Sequence, residues 1–123
     1  MEDTCPKRPD LTERPLLDIN NAEGLSETFK ILSNGTRLRI LHALAKQPDI
    51  SVGEVAKQVA MNPQAVSNQL QRLVDKGIVS SYRQGNFIHY RIVDSCVVGL
   101  LDRGWCLTEE IPQTIGGAQN GKV

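Results

Sequence analysis

Apolar residues recur at helical spacing over the first two thirds of the chain and then switch to alternation. Across residues 21–33, Leu25, Phe29 and Leu32 fall on one helical face, and Asn34-Gly35 follows as a stop signal. Residues 36–46 carry a second helix with Leu38, Ile40, Leu41, Leu44 and Ala45 apolar, and Pro48 lies beyond its end. Ser51-Val52-Gly53-Glu54 has the form of a capping box and predicts a short third helix to about Val59. Asn62-Pro63 sets an N-cap before a proline at the first helical position, so a fourth helix runs to Lys76 and stops at Gly77. Beyond it, Ile88, Tyr90 and Ile92 alternate with Phe87, His89 and Arg91. With Gln84-Gly85-Asn86 as the turn, this predicts a β-hairpin over residues 78–92. Asp94 or Ser95 can cap a fifth helix through Cys96, Val97, Leu100, Leu101 and Trp105, ended by Pro112 and the Gly-Gly pair at 116–117.

The fold class is therefore mainly α with a β-hairpin, in the order ααααββα. Residues 1–18 hold Pro6, Pro9 and Pro15 without a sustained period and read as a flexible arm; residues 113–123 read as a flexible tail. Residues 19–112 are left as the one folded domain, which suits a chain of 123 residues with 40% hydrophobic content. The longest uncharged apolar runs, such as residues 96–101, are far too short to span a bilayer. No apolar targeting segment follows Met1, and the odd count of three cysteines points to reduced thiols and a cytoplasmic location.

A formal net charge of zero argues against a polyanion partner until it is divided along the chain. Residues 1–29 carry seven acids and three bases, residues 30–92 nine bases and three acids, and residues 93–123 four acids and two bases. The neutral total is thus a +6 centre between ends of −4 and −2, a pattern expected of nucleic-acid binding.

Two short helices about three residues apart, the second sharply capped and followed by a hairpin, form a winged helix-turn-helix. In the fourth helix Val66, Leu70, Leu73 and Val74 make an inward stripe, while Gln64, Ser67, Asn68 and Gln71 share the opposite side. Those uncharged side chains suit the donors and acceptors on base edges in the major groove of double-stranded DNA. Arg72, Lys76 and Arg83 suit phosphates, and the turn containing Gln84 suits the backbone or minor groove. His42 reads as a partly buried residue and His89 as facing out of the hairpin.

These residues resemble the ArsR/SmtB family of bacterial metal-responsive repressors. The run from Leu32 to Leu41 (LSNGTRLRIL) is similar to one family motif and that from Ala65 to Leu70 (AVSNQL) to another, with Asn68 where the family often has His. Arg83-Gln84-Gly85 followed by Tyr90-Arg91-Ile92 resembles the family's wing. The likeness covers about residues 22–110. It implies a homodimer built largely from the first and last helices, a palindromic operator, and repression relieved when an ion binds.

Cys96 and Cys106 are ten residues apart, about 15 Å along a helix and rotated by about 280°, so one protomer cannot close both thiols on one ion. Two antiparallel copies of the helix could. In the resemblance, Asp94-Ser95-Cys96 and Cys106-Leu107-Thr108-Glu109 stand where the family has Asp-x-His and His-x-x-Glu, with Glu109 and Glu110 as alternatives for the last ligand. Thiolates in place of imidazoles favour Hg(II), As(III), Cd(II) or Pb(II), with Zn(II) as the harder option. Cys5 in the arm is a candidate third thiol, and the family's third-helix Cys-x-Cys is replaced by Val52-Gly53-Glu54.

The function this implies is a DNA-binding transcriptional repressor that releases its operator on binding a thiophilic ion. A thiol redox sensor on the same fold is the alternative. An interaction-only module is another, separated from both by whether DNA binds at low salt. A cysteine-dependent enzyme lacks a His, Asp or Asn constellation, so neither catalysis nor a small organic substrate is expected.

Overall fold

A computed structural model describes residues 9–116, with side chains through Glu109. Two compact units divide them: a body within residues 6–93, and a second unit whose described part begins at Asp94.

In the body, a 3-10 turn at Leu11–Glu13 precedes α1 (Ile19–Leu32), whose first turn is capped by Asp18 accepting the Asn21 N–H at 2.8 Å. Asn34 follows α1 and caps α2 (Gly35–Lys46), accepting the Arg37 N–H at 3.0 Å, so the stop signal is also a start. The Ser51–Glu54 capping box opens α3 (Val52–Val59) with both reciprocal bonds present. Three residues later Asn62 accepts the Gln64 N–H at 2.7 Å and Pro63 begins α4 (Pro63–Asp75).

The end of α4 has a specific cause. Gly77 takes φ +75°, its N–H donates to Val74 O, and the Ile78 N–H donates to Leu73 O. This is a Schellman closure, in which the left-handed position favours glycine and the flanking apolar pair, Leu73 and Ile78, is buried. It turns the chain directly into the wing.

Strands β2 (Val79–Gln84) and β3 (Phe87–Ile92) pair antiparallel around Gly85-Asn86, with Gly85 at φ +66°. A strand not expected from the sequence, β1 (Ile50–Ser51), adds to the other edge of β3, giving the order β1-β3-β2 with Ile50 opposite Tyr90. Two residues cannot display alternation, and their pairing depends on a partner strand some 40 residues away.

The core is where three helices meet the first wing strand: Ile40, Leu41 and Leu44 from α2, Val55 from α3, Val66, Leu70 and Leu73 from α4, and Val79 from β2 are fully buried. α1 contributes only Leu32; Leu25 and Phe29 remain 43% and 49% exposed.

The second unit is α5 (Ser95–Gly116). It continues through Pro112, where an end was expected, to Gly116, the last described residue. A proline costs a helix one hydrogen bond and some crowding, which a long helix can absorb as a local irregularity. Both histidines also differ from expectation. His42 is exposed, whereas His89 is half-buried with Nδ1 2.9 Å from Asp49 O. Among the described residues no helix is long and apolar enough to cross a membrane.

Candidate nucleic-acid interface and thiol centre

Helix α4 divides as its periodicity requires. Val66, Leu70 and Leu73 are buried and Val74 half-buried, while Gln64, Asn68, Gln71 and Arg72 are exposed and Ser67 is half-buried. The polar face is braced along its own length. Gln64 Nε2 donates to Asn68 Oδ1 at 3.2 Å and Gln71 Nε2 to Asp75 Oδ1 at 2.9 Å, both one turn apart. Such solvent-exposed pairs can be exchanged for base-edge partners at modest cost.

The basic centre does two jobs. Arg39 Nη1 donates to Val59 O at 2.9 Å, satisfying a carbonyl at the C-terminal end of α3. Arg37 bonds to Ile31 O and to Gln69, and Arg91 Nε meets Asp49 Oδ1 at 2.7 Å. These three arginines have hydrogen-bond partners within the fold, so they are less free than the remaining bases to reach out to phosphates. Arg72, Lys76 and Arg83 are exposed at α4 and the wing. Sequence reasoning missed the roles of Arg37, Arg39 and Gln69; the only local hint was that Gln69 lies on the border between the two faces of α4.

The two faces of the wing differ. On one face Arg83 pairs across the strands with Ile88, while Gln84 pairs with Phe87 beside the turn on the face that carries Tyr82 and His89. There the Tyr82 and His89 rings stack at 5.6 Å, and the Arg91 guanidinium lies 5.6 Å from the Tyr82 ring centre. Tyr82, Arg83, Gln84 and Arg91 line an open hollow. Asp49 anchors this cluster from left-handed backbone, φ +64°.

Its bond to Arg91 holds the Asp49 carboxyl below the ordinary value of 3.8, helped by the Tyr82 hydroxyl and opposed by partial desolvation. A depressed carboxylate contributes stability that is present above its unfolded value and lost as pH falls through the folded one. Asp49→Asn, which tolerates the same backbone, should therefore be less stable than wild type at pH 7. The gap should narrow as pH falls below the ordinary value of 3.8, as thermal unfolding across that range would measure. A gap that persists there would assign the effect to something other than this carboxylate.

At the start of α5, Asp94 Oδ1 accepts the Cys96 N–H at 2.8 Å, so the carboxylate and the half-buried Cys96 share one turn. Cys96 is disulfide-bonded in the structure. Cys106 and Glu109 are exposed further along, beside Trp105 and Leu107, which are 62% and 61% exposed. Cys5 and the Glu110 side chain lie outside the described residues. Among the described residues of one chain, no three His, Cys, Asp or Glu side chains converge as metal ligands.

Comparison with known proteins agrees with this geometry. Residues 33–80, from the start of α2 to the first wing strand, match a family of winged helix-turn-helix DNA-binding domains. The chain is 31% identical over 87 residues to the cadmium resistance transcriptional regulatory protein CadC of Listeria innocua, covering 71% of this chain and 73% of that one. Among solved structures, the AntR antimony-specific transcriptional repressor is 50% identical with a TM-score of 0.75, over 89% of this chain and 98% of that one. A homodimeric winged helix-turn-helix domain from Mycobacterium bovis, described as a possible ArsR-family regulator, is 31% identical with a TM-score of 0.67, over 79% and 91%. With helix α4, wing and terminal helix in this order and relatives matched over most of their lengths, the chain belongs to the ArsR/SmtB family of metal-responsive transcriptional repressors.

Proposed function

We propose that the protein is a homodimeric repressor that holds a palindromic DNA operator through two copies of α4 and releases it when a soft metal or metalloid ion binds the α5 thiolates. The observation that carries the DNA half is the division of α4, a buried apolar stripe beneath an exposed row of Gln64, Ser67, Asn68 and Gln71. Arg72, Arg83 and Gln84 flank that row and serve as phosphate and backbone contacts. Leu25 and Phe29 on α1, with Trp105 and Leu107 on α5, are apolar side chains suited to burial against a second copy. The Mycobacterium bovis relative is itself homodimeric. Such a regulator works in the cytoplasm, where its DNA is.

The donor chemistry fits a thiophilic ion. Cys96 sits in one turn with Asp94, and the partner's Cys106 and Glu109 or Glu110 complete a site across two antiparallel copies of α5, with Cys5 as a third thiol. The likeness to an antimony-specific repressor directs the choice first to trivalent Sb or As, and CadC to Cd(II). Pb(II), Hg(II) and Zn(II) complete the panel. When bound, the ion would cross-link the two copies of α5. The residues must first be reduced and deprotonated, so affinity falls with falling pH. A coupling of about 1–3 kcal/mol between the ion and DNA sites is enough for release.

The DNA half is tested by selecting duplexes from a random pool with the reduced wild-type protein. Two-fold symmetric sequences should emerge. Asn68→Ala should then lose about 1–3 kcal/mol of discrimination at one base pair per half-site, while Arg72→Gln weakens all sequences and lowers the salt slope by about 1 per half-site. Equal weakening of every sequence by Asn68→Ala would remove α4 as the reader.

The disulfide at Cys96 favours one second reading, a redox-sensing repressor on the same fold. That reading requires peroxide to release DNA in the presence of chelator, and a phosphine reductant to restore binding.

A further inference from the structure

We infer that Arg37 is a positioning residue that ties the reading helix α4 to the seat of α1; the inference rests on the DNA-binding reading above. Its guanidinium bridges two helices from a third. Nε donates to Ile31 O at 2.6 Å in the last turn of α1, and Nη1 donates to Gln69 Oε1 at 3.0 Å in the middle of α4. The backbone N–H of Arg37 is itself fixed by Asn34 Oδ1 at the start of α2, so the residue cannot slide along its own helix.

The rest of α1 has little other purchase on the body. Residues 19–30 are exposed, Ile31 is half-buried, and Leu32 alone is buried. A shift of α1 against a second copy is therefore felt where Leu32 and Arg37 hold it. Displacing Ile31 O by about 1 Å takes a hydrogen bond of this length out of its favourable range, unless the guanidinium follows and draws Gln69 with it. Gln69 adjoins Asn68 on a rigid helix, so its movement re-aims the row of side chains proposed to read bases. Arginine is required because its planar fork reaches two acceptors in fixed directions; a lysine ammonium on a single stem serves one or the other.

The test uses the full chain in reduced form, a duplex selected by the wild-type protein, and a scrambled duplex of equal length. Arg37→Lys is expected to remain a dimer of near wild-type thermal stability. It should bind the selected duplex about tenfold more weakly and the scrambled one unchanged. Gln69→Met, which removes the acceptor at similar length, should do the same, and the double variant should be no weaker than either single. Gln69→Met alone reports this loss if Arg37→Lys fails to fold. Additive losses, or equal losses on both duplexes, would reduce the bridge to an ordinary structural contact and overturn the inference. If the wild-type protein selects no duplex, the DNA-binding reading fails and the inference with it. If the selected duplex is held equally by wild type and both singles, only the inference fails.

Discussion

Replacing Leu70 with alanine is expected to lower the unfolding free energy by about 2–5 kcal/mol. Leu70 is wholly buried, on the stripe of α4 that packs against α2, α3 and the first long wing strand. Truncation removes the transfer free energy of the side chain and leaves a cavity that neighbours held by caps at both ends of α4 fill only partly. Against a total stability of about 5–15 kcal/mol, that is a large fraction, and the melting temperature should fall by about 10 °C or more. Gln71→Ala, one residue further and on the exposed face, should stay within about 0.5 kcal/mol of wild type. Circular dichroism melts of the pair decide the matter. Equal shifts would mean that the inward and outward faces of α4 are wrongly assigned.

Cys96→Ser is expected to leave operator binding intact and abolish release by soft ions. Serine is close to cysteine in size, and Cys96 is half-buried, so packing changes little. A hydroxyl, however, neither ionises near neutral pH nor offers a soft donor, so the coupling of about 1–3 kcal/mol should vanish. Cys106→Ser should behave alike. Mixing the two variants separates a site shared between copies from one within a chain. In a heterodimer of Cys96→Ser with Cys106→Ser, one shared site keeps both thiols, and the other keeps neither. An equal mixture at exchange equilibrium is about half heterodimer, so about a quarter of the wild-type ion capacity should return on mixing, read by thiolate-to-metal absorption. If neither homodimer nor the mixture binds, the two thiols do not meet across the dimer.

Much of the fold could be read from short-range signals because those signals act locally. Asn62-Pro63, the Ser51–Glu54 box and Gly77 each fix a helix end through bonds within a few residues, and each is found as expected. The inward stripe of α4 follows in the same way from periodicity. What escaped depends on distant partners. β1 exists only because Ile50 meets Tyr90, and His89 turns toward Asp49 forty residues away. The charge census treated nine bases as equivalent, whereas Arg37, Arg39 and Arg91 are bound to groups 32, 20 and 42 residues distant. The thiol site was open to sequence only as a spacing. Cys96 with Asp94 is a local pair and was visible, whereas the proposed convergence with Cys106 requires a second copy.

In the proposed mechanism, soft-ion binding at Cys96 and DNA binding at α4 weaken one another. The most direct measurement follows both on one sample: fluorescence anisotropy of the selected duplex and ultraviolet thiolate-to-metal absorption, while Sb(III) and then the other ions are titrated into the reduced complex. The expected result is a loss of anisotropy that tracks the rise of the absorption band, at the same ion concentration, in wild type but not in Cys96→Ser. An absorption band that saturates while the duplex stays bound, or a release that Cys96→Ser reproduces in full, would contradict it.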